Sequence, residues 1–263
     1  MTKVASKKST SLVPWDAKFA QYAKQGTEQV KNIGTAGISI KFGRGTISVG
    51  DAPVKGPFEC IILGAVALNA WYASDYDPTE KLPPTCYAYS EVADDPDMAP
   101  HAAVLDKQAA LCSECEKNQF GTAKVGRGKA CNNTMRLGLI LAKDAEDGEA
   151  VSTAELAMAK ISPTNLKHYK EYVEAIQDEH ARPLWAVVTE IRTYDDPKTQ
   201  IRVEFKLVEL IEDDSVLAAL EKRFLKVQAA LQQPFAAPAE RKAKKPKAGA
   251  SKKFAGKSKA GKR

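Results

Sequence analysis

The stretch FECIILGAVALNAWY, from Phe58 to Tyr72, decides the fold. It is rich in Ile, Val, Leu, Trp and Tyr, the pattern of a long, well-buried strand. Gly64 interrupts it and is expected at a bulge or bend. The apolar run Cys60 to Ala73, punctuated by Gly64 and Asn69, is too short to span a membrane.

Upstream, Ile38-Ser-Ile-Lys-Phe42 and Thr46-Ile-Ser-Val49 alternate around Gly43-Arg-Gly45 and read as a β-hairpin. Before it, Pro14 opens a helix in which Trp15, Phe19 and Tyr22 recur at helical spacing, to about Ile33. Downstream, periodicity is lost from Asp75 to Lys129, a segment crowded with Pro, Asp, Gly and Cys. A loop of that length needs something to order it. Regularity returns in a strand from Met135 to Ala142, an acidic turn from Asp144 to Glu149 and a strand from Ala154 to Ile161. Ser162-Pro163 reads as cap and first-turn proline of a helix that carries Leu166, Tyr169, Tyr172, Val173 and Ile176 on one face. Leu184–Tyr194 and Ile201–Ile211 form a second hairpin through Asp195-Asp-Pro-Lys198. Asp213-Asp214 then caps a helix with apolar positions Val216, Leu217, Leu220, Phe224, Leu225, Val227 and Leu231. The expected class is α+β, mainly β: an OB-like bent sheet or small barrel with peripheral helices over residues 14–235. A disordered basic arm (1–13) and a disordered Lys-rich tail (236–263) flank it.

The charge is divided unevenly. Of the 263 residues, the last 28 hold eleven Lys and Arg and a single Glu, a net of +10. The first 235 hold 28 basic and 32 acidic side chains, a net of −4. Salt-dependent attraction to polyanions through net charge is therefore a property of the tail. No apolar segment follows the basic N-terminus, so no secretory signal is expected and a cytoplasmic protein is the default.

Five cysteines in such a chain argue against a disulfide framework. Four of them are grouped: Cys86, then Cys112-Ser-Glu-Cys115, then Cys131. One C-x2-C turn aims two thiolates at the same point, and two distant cysteines complete a tetrahedron, the arrangement of a zinc ion. Four sulfur ligands leave no open position, so the metal would be structural, ordering a loop too polar to build its own core. His101 is the substitute ligand if one cysteine is out of reach. Two other readings stay open: a redox dithiol at Cys112 and Cys115, and reduced cysteines packed as small apolar groups, which suits Cys60 best.

Pro84-Thr-Cys86, Cys112-x-x-Cys115-x-x-Asn118-x-Phe120-Gly121, Gly126-Arg-Gly-Lys-Ala-Cys131 and Arg136-Leu137 resemble a pattern of zinc-containing, single-stranded-DNA-binding-like bacteriophage proteins. Ser162-Pro-Thr-Asn-Leu-Lys-x-Tyr169 and Val187-Val-Thr-Glu-Ile191 extend the resemblance over roughly residues 58–211. It implies a replication or recombination accessory protein that binds single strands in the host cytoplasm, with replication or recombination proteins as further partners. The basic tail departs from the acidic tail of many single-strand binders.

Single-strand binding needs exposed aromatic faces and a cationic track. The loop from Gly121 to Cys131 offers Lys124, Arg127 and Lys129 among glycines, with Phe120 at its base and Arg136 just beyond it. Trp71, Tyr72 and Tyr76, and Tyr87 and Tyr89, are candidate stacking residues, as are Phe42 and Arg44 at the first hairpin. Each aromatic has a competing reading as core; Tyr87 and Tyr89, two apart, share a face of any strand there and form the best pair. Trp185 and Phe205 read as core. The Gly-rich loop is not a nucleotide-binding P-loop, since Ala123 stands where the first glycine belongs and Ala130 follows Lys129. No catalytic constellation emerges, and no enzyme is expected. Two alternatives remain: a zinc-ordered protein-interaction factor anchored to nucleic acid by its tail, and a metal-dependent nuclease using Asp94-Asp95-Pro-Asp97, whose composition equally suits a turn.

Overall fold

The computed structural model describes residues 38–54, 57–75 and 82–235. The expected N-terminal helix and arm, Tyr76 and the Lys-rich tail lie outside these residues. The chain is α+β and mainly β, a large open mixed sheet with few helices. Its strands are β1 (Ile38–Gly43), β2 (Thr46–Val49), β3 (Ala52–Pro53), β4 (Phe58–Trp71), β5 (Cys86–Ser90), β6 (Asn132–Leu141), β7 (Ala157–Ile161), β8 (Val187–Asp196) and β9 (Gln200–Leu210). The helices are α1 (Gly148–Thr153), α2 (Leu166–His180) and α3 (Asp214–Leu231). The sheet order is β3-β2-β1-β7-β6-β4-β8-β9, with β5 also paired to β4. All pairs are antiparallel except β1 with β7.

The central strand is β4. One edge pairs with β6 from Cys60 to Ala70, while the other pairs with β8 at Phe58–Cys60 and with β5 at Ala67–Trp71. The register shifts between Ile62 and Gly64, the expected irregularity. Both faces are covered, which is why the run does not alternate. Cys60 and Ile62 join Ile40, Leu137, Leu139, Ile161, Tyr169, Ile191 and Val203 in one core, closed by α2. Ile61, Leu63 and Val66 join Ile140, Val151, Val216, Leu220, Val227 and Leu231 in a second, closed by α3 and α1.

Helix α3 begins where the sequence places it: Asp213 accepts hydrogen bonds from the Ser215 and Val216 N–H groups at 2.8 and 3.0 Å. Val216, Leu220, Val227 and Leu231 are buried, each worth roughly 1.5–3 kcal/mol of apolar burial. Leu225, expected with them, is exposed, because its position falls outside the stripe that the other four define. Phe224 stacks on Trp185, with ring centroids 6.0 Å apart. In α2, Tyr169, Tyr172 and Ile176 are buried as expected. Its entry differs: Pro163–Asn165 form a 3-10 turn, and the Ser162 side chain caps no backbone N–H. Buried Asn165 takes the structural role instead, donating to Ile201 O and accepting from Val203 N on β9 at 2.9 and 2.8 Å.

The expected acidic turn after β6, Asp144 to Glu149, runs into α1, where Asp147 accepts from Ala150 N at 2.8 Å. Arg223 of α3 donates to the Val151 and Ala154 carbonyls at the end of α1. Among the described residues no helix is long and apolar enough to cross a membrane.

Candidate metal centre and nucleic-acid face

The distant end of β4 organises the cysteines. Cys86 opens β5 directly opposite Trp71, and Cys131 immediately precedes β6, whose first residue pairs with Ala70. Strands on both sides of β4 thus deliver one cysteine each to the same end of the sheet. The intervening loop brings the other two, tied by Cys112 N to Met98 O at 2.8 Å, Asn118 N to Cys115 O at 3.0 Å and Cys131 N to Lys117 O at 2.7 Å. All four are buried, each 9 % exposed. They line one cavity of about 20 Å³ together with Asn69 and Asn118, room for a single water-sized occupant.

Burial raises the Cys86 and Cys112 thiols, and it pushes Cys131 up to about 12 with help from the other three cysteines. The Gln108 backbone N–H and the Asn69 amide oppose this by hydrogen-bonding to Cys86 and Cys112. Asn69 is itself held by Asn133 Nδ2 at 2.5 Å. A cation among these groups would reverse their preference, since a coordinating thiol loses its proton and amide donors favour thiolate. Asn118 donates to Cys112 O at 2.8 Å, while its Oδ1 is buried without a hydrogen-bond partner. The donor set therefore suits a soft, thiolate-preferring ion. As the side chains stand, no group of three or more His, Cys, Asp or Glu among the described residues is arranged to hold a metal. His101 does not line the cavity; its Nδ1 accepts from Ala103 N at 3.1 Å and lies 3.3 Å from the Tyr87 hydroxyl. Cys60 is buried in the sheet core, away from the other four.

Residues 119–130 project from this centre as a finger. Gly121 and Gly126 have φ of +87° and +81°, backbone that L side chains rarely adopt. Gly121 N donates to Gly128 O at 2.9 Å, Ala123 N to Gly128 O at 3.1 Å, and Ala130 N to Thr122 Oγ1 at 3.0 Å. Phe120 is 80 % exposed, with the Lys129 ammonium 5.1 Å from its ring centre. Lys124 pairs with Asp75, and Arg127 is exposed. The Lys117 ammonium lies 5.9 Å from the Trp71 ring.

The remaining candidates divide. Tyr87 and Tyr89 do share a face, in edge contact at 5.6 Å. Tyr87, however, is only 6 % exposed, stacked on His101 at 5.2 Å and edge-on to Phe235 at 4.9 Å. It therefore presents no open face. Tyr89 is partly buried under Phe235, with the Arg136 guanidinium 5.1 Å from its ring. Tyr72 and Trp71 are partly buried beside them. Phe42 packs against the first core, and Arg44 pairs with Asp195 at 3.6 Å; neither adjoins the finger. Asp95 spends its carboxylate on Ser90 Oγ at 2.6 Å and Asp97 N at 2.9 Å, the pattern of a turn.

Sequence reasoning named Asn69 and Asn118 without giving them a place at the site, and it did not single out Phe235. Asn69, a polar residue inside the apolar run, was a visible signal; Phe235 carried none, because its partners are far away in the chain. Compared with known proteins, the chain matches no family model, no curated protein and no solved structure.

Proposed function

We propose that the protein binds single-stranded DNA without sequence preference, through a finger ordered by a zinc ion on Cys86, Cys112, Cys115 and Cys131. The observation that carries this reading is Phe120, an exposed aromatic with Lys129 over its ring, on a loop that also exposes Arg127 and is rooted in the four-cysteine cavity. A large exposed ring with cations around it suits base stacking and phosphate pairing, and any base has a π face to offer. Zinc would supply the rigidity that a polar loop lacks. The body is read as OB-like because β4 is long, irregular at its middle and shared between different partners along one edge. The Lys-rich tail adds sequence-independent attraction. A role in phage replication or recombination rests on the cysteine and finger motifs.

A second reading, a protein-interaction role for the finger, is favoured by Val125, 89 % exposed at its tip.

The test is a salt titration of labelled oligo-dT and of duplex of equal length, on the full chain and on a 1–235 truncation, with zinc measured on the same samples. Single-strand preference that survives truncation supports the reading. Binding that disappears with the tail, equal for both forms of DNA, overturns it.

A further inference from the structure

Beyond the finger, one arrangement has the geometry of an occupied ligand site. The Phe235 ring lies nearly parallel to Tyr89, 10° between planes and 6.4 Å between centroids, and stands edge-on to Tyr87. The Arg136 guanidinium is 5.0 Å from the Phe235 ring centre and 5.1 Å from that of Tyr89. A planar ring is thus held by an aromatic face and a guanidinium, the contacts by which single-strand binders hold a base.

We propose that Tyr89 and Arg136 form a nucleobase subsite for single-stranded DNA, that Phe235 closes it from within the chain, and that a base of the bound strand displaces Phe235. This rests on the single-strand reading above.

Three observations support it. First, the closing segment is lightly tied. Gln232 N and Gln233 N still donate to the Gln228 and Ala230 carbonyls at 3.0 and 3.5 Å; beyond them it is held by the ring contacts, by the Tyr89 hydroxyl donating to Gln233 O at 3.1 Å and by the Phe235 N–H reaching the Tyr87 hydroxyl. Pro234 has no N–H to give. Second, the site has cations for a phosphate. Arg136 on β6 is directly paired with Lys160 on β7, and like charges across a strand pair repel unless an anion lies between them. Desolvation, and after it the Arg136 charge, lower the Lys160 ammonium below its usual range. Third, Arg136 is anchored independently of Phe235: it donates to Leu231 O at the end of α3, 2.9 Å away, so the guanidinium stays in position when the ring leaves. The chain runs from Phe235 directly into the eleven-cation tail.

The experiment measures oligo-dT affinity by anisotropy at fixed salt for the full-length wild type, Phe235→Ala, Tyr89→Ala and the double variant. It adds the ¹⁹F resonance of 4-fluorophenylalanine placed at position 235 in otherwise wild-type protein. Removal of an internal competitor should tighten Phe235→Ala binding by about three- to tenfold. Loss of the stacking face should weaken Tyr89→Ala by about five- to a hundredfold, and Phe235→Ala should give no gain in that background. The fluorine resonance should shift on adding oligo-dT. Wild-type binding with a motionless fluorine resonance, and Phe235→Ala no tighter than wild type, would overturn the subsite while leaving the single-strand reading intact. No binding by either wild type or Phe235→Ala would overturn both.

Discussion

Gly64 and Gly138 stand directly opposite each other on β4 and β6, and the Val227 side chain of α3 lies over both. A Cβ on Gly64 would sit 2.7 Å from Val227 Cγ1; one on Gly138 would sit 2.7 Å from Val227 Cγ2 and 3.2 Å from Leu231 Cδ2. The helix reaches the sheet because two side chains are missing. Gly138→Ala should cost about 1–3 kcal/mol through overpacking, lowering the Tm by about 2–4 °C for each kcal/mol. Val227→Ala destabilises on its own but should recover part of the loss when combined with Gly138→Ala. Thermal unfolding of the four-protein cycle measures this coupling, and strict additivity would show that the contact is not the cause.

Asn165 makes a second, polar junction. Its amide joins the turn before α2 to β9, giving Ile201 O a donor and Val203 N an acceptor inside the protein. Asn165→Ala leaves buried Val203 N without that partner and Ile201 O with only the Thr199 hydroxyl at 3.4 Å, at about 1–3 kcal/mol for a group that water cannot reach. Asn165→Asp restores the acceptor for Val203 but faces the Ile201 carbonyl with an oxygen, so it should be destabilised as well. Urea unfolding followed by circular dichroism distinguishes these variants from a tolerant surface site, which would move the midpoint very little.

The contrast between these junctions explains what the sequence makes legible. The doubly covered β4 was readable because a continuous apolar run has few other uses, and α2 and α3 were readable from apolar residues at helical spacing. Strand β5 was not. Cys86–Ser90 lies in a Pro- and Asp-rich segment, and it becomes a strand through its pairing with Ala67–Trp71. Helix α1 is six residues long with Val151 alone buried, too little for a periodic signal. The parallel contact of β1 with β7 joins segments more than a hundred residues apart, beyond the reach of local pattern. At the site, spacing was enough to group the four cysteines, whereas the cover over Tyr87 comes from Phe235, which nothing near Tyr87 foretells.

The cap of α3 gives a pH-dependent prediction. The Ser215 hydroxyl, followed by the Val216 and Ser215 N–H groups, holds the Asp213 carboxyl below its usual range. A carboxyl lowered in the folded state stabilises fully above its unfolded value, about pH 4, and loses that contribution as the pH falls through the folded value. Asp213→Ala should therefore lower the Tm by a few degrees at pH 7, with the difference closing as the pH approaches 2. Asp213→Asn keeps an acceptor for the N–H groups but has no proton to exchange, so its Tm should lack this part of the acid dependence. A gap between wild type and Asp213→Ala that stays constant from pH 7 to pH 2 would contradict the assignment.

The cysteines give the prediction with the widest consequences. If Cys86, Cys112, Cys115 and Cys131 share one zinc ion, protein purified under reducing conditions should contain about one zinc per chain. Substitution of any of the four by Ser should reduce that content sharply, while Cys60→Ser should leave it unchanged, since Cys60 is buried among the apolar side chains of the first core. The finger reports the consequence. Lys124, Arg127 and Lys129 lie between Phe120 and Cys131, on a loop tied by bonds within itself and, through Thr122 Oγ1 and Cys131 N, to Lys117 O. Chelation should therefore expose these three positions to trypsin many times faster, while the segment 132–231, held by β6 to α3, resists. It should also weaken oligo-dT binding about as much as Phe120→Ala does, since both remove the presented ring, one by disorder and one by deletion. Retention of full metal content by Cys131→Ser, or loss of it in Cys60→Ser, would show that the ligand set is wrong. Tryptic cleavage at the finger that is unaffected by chelation would show that metal does not order it.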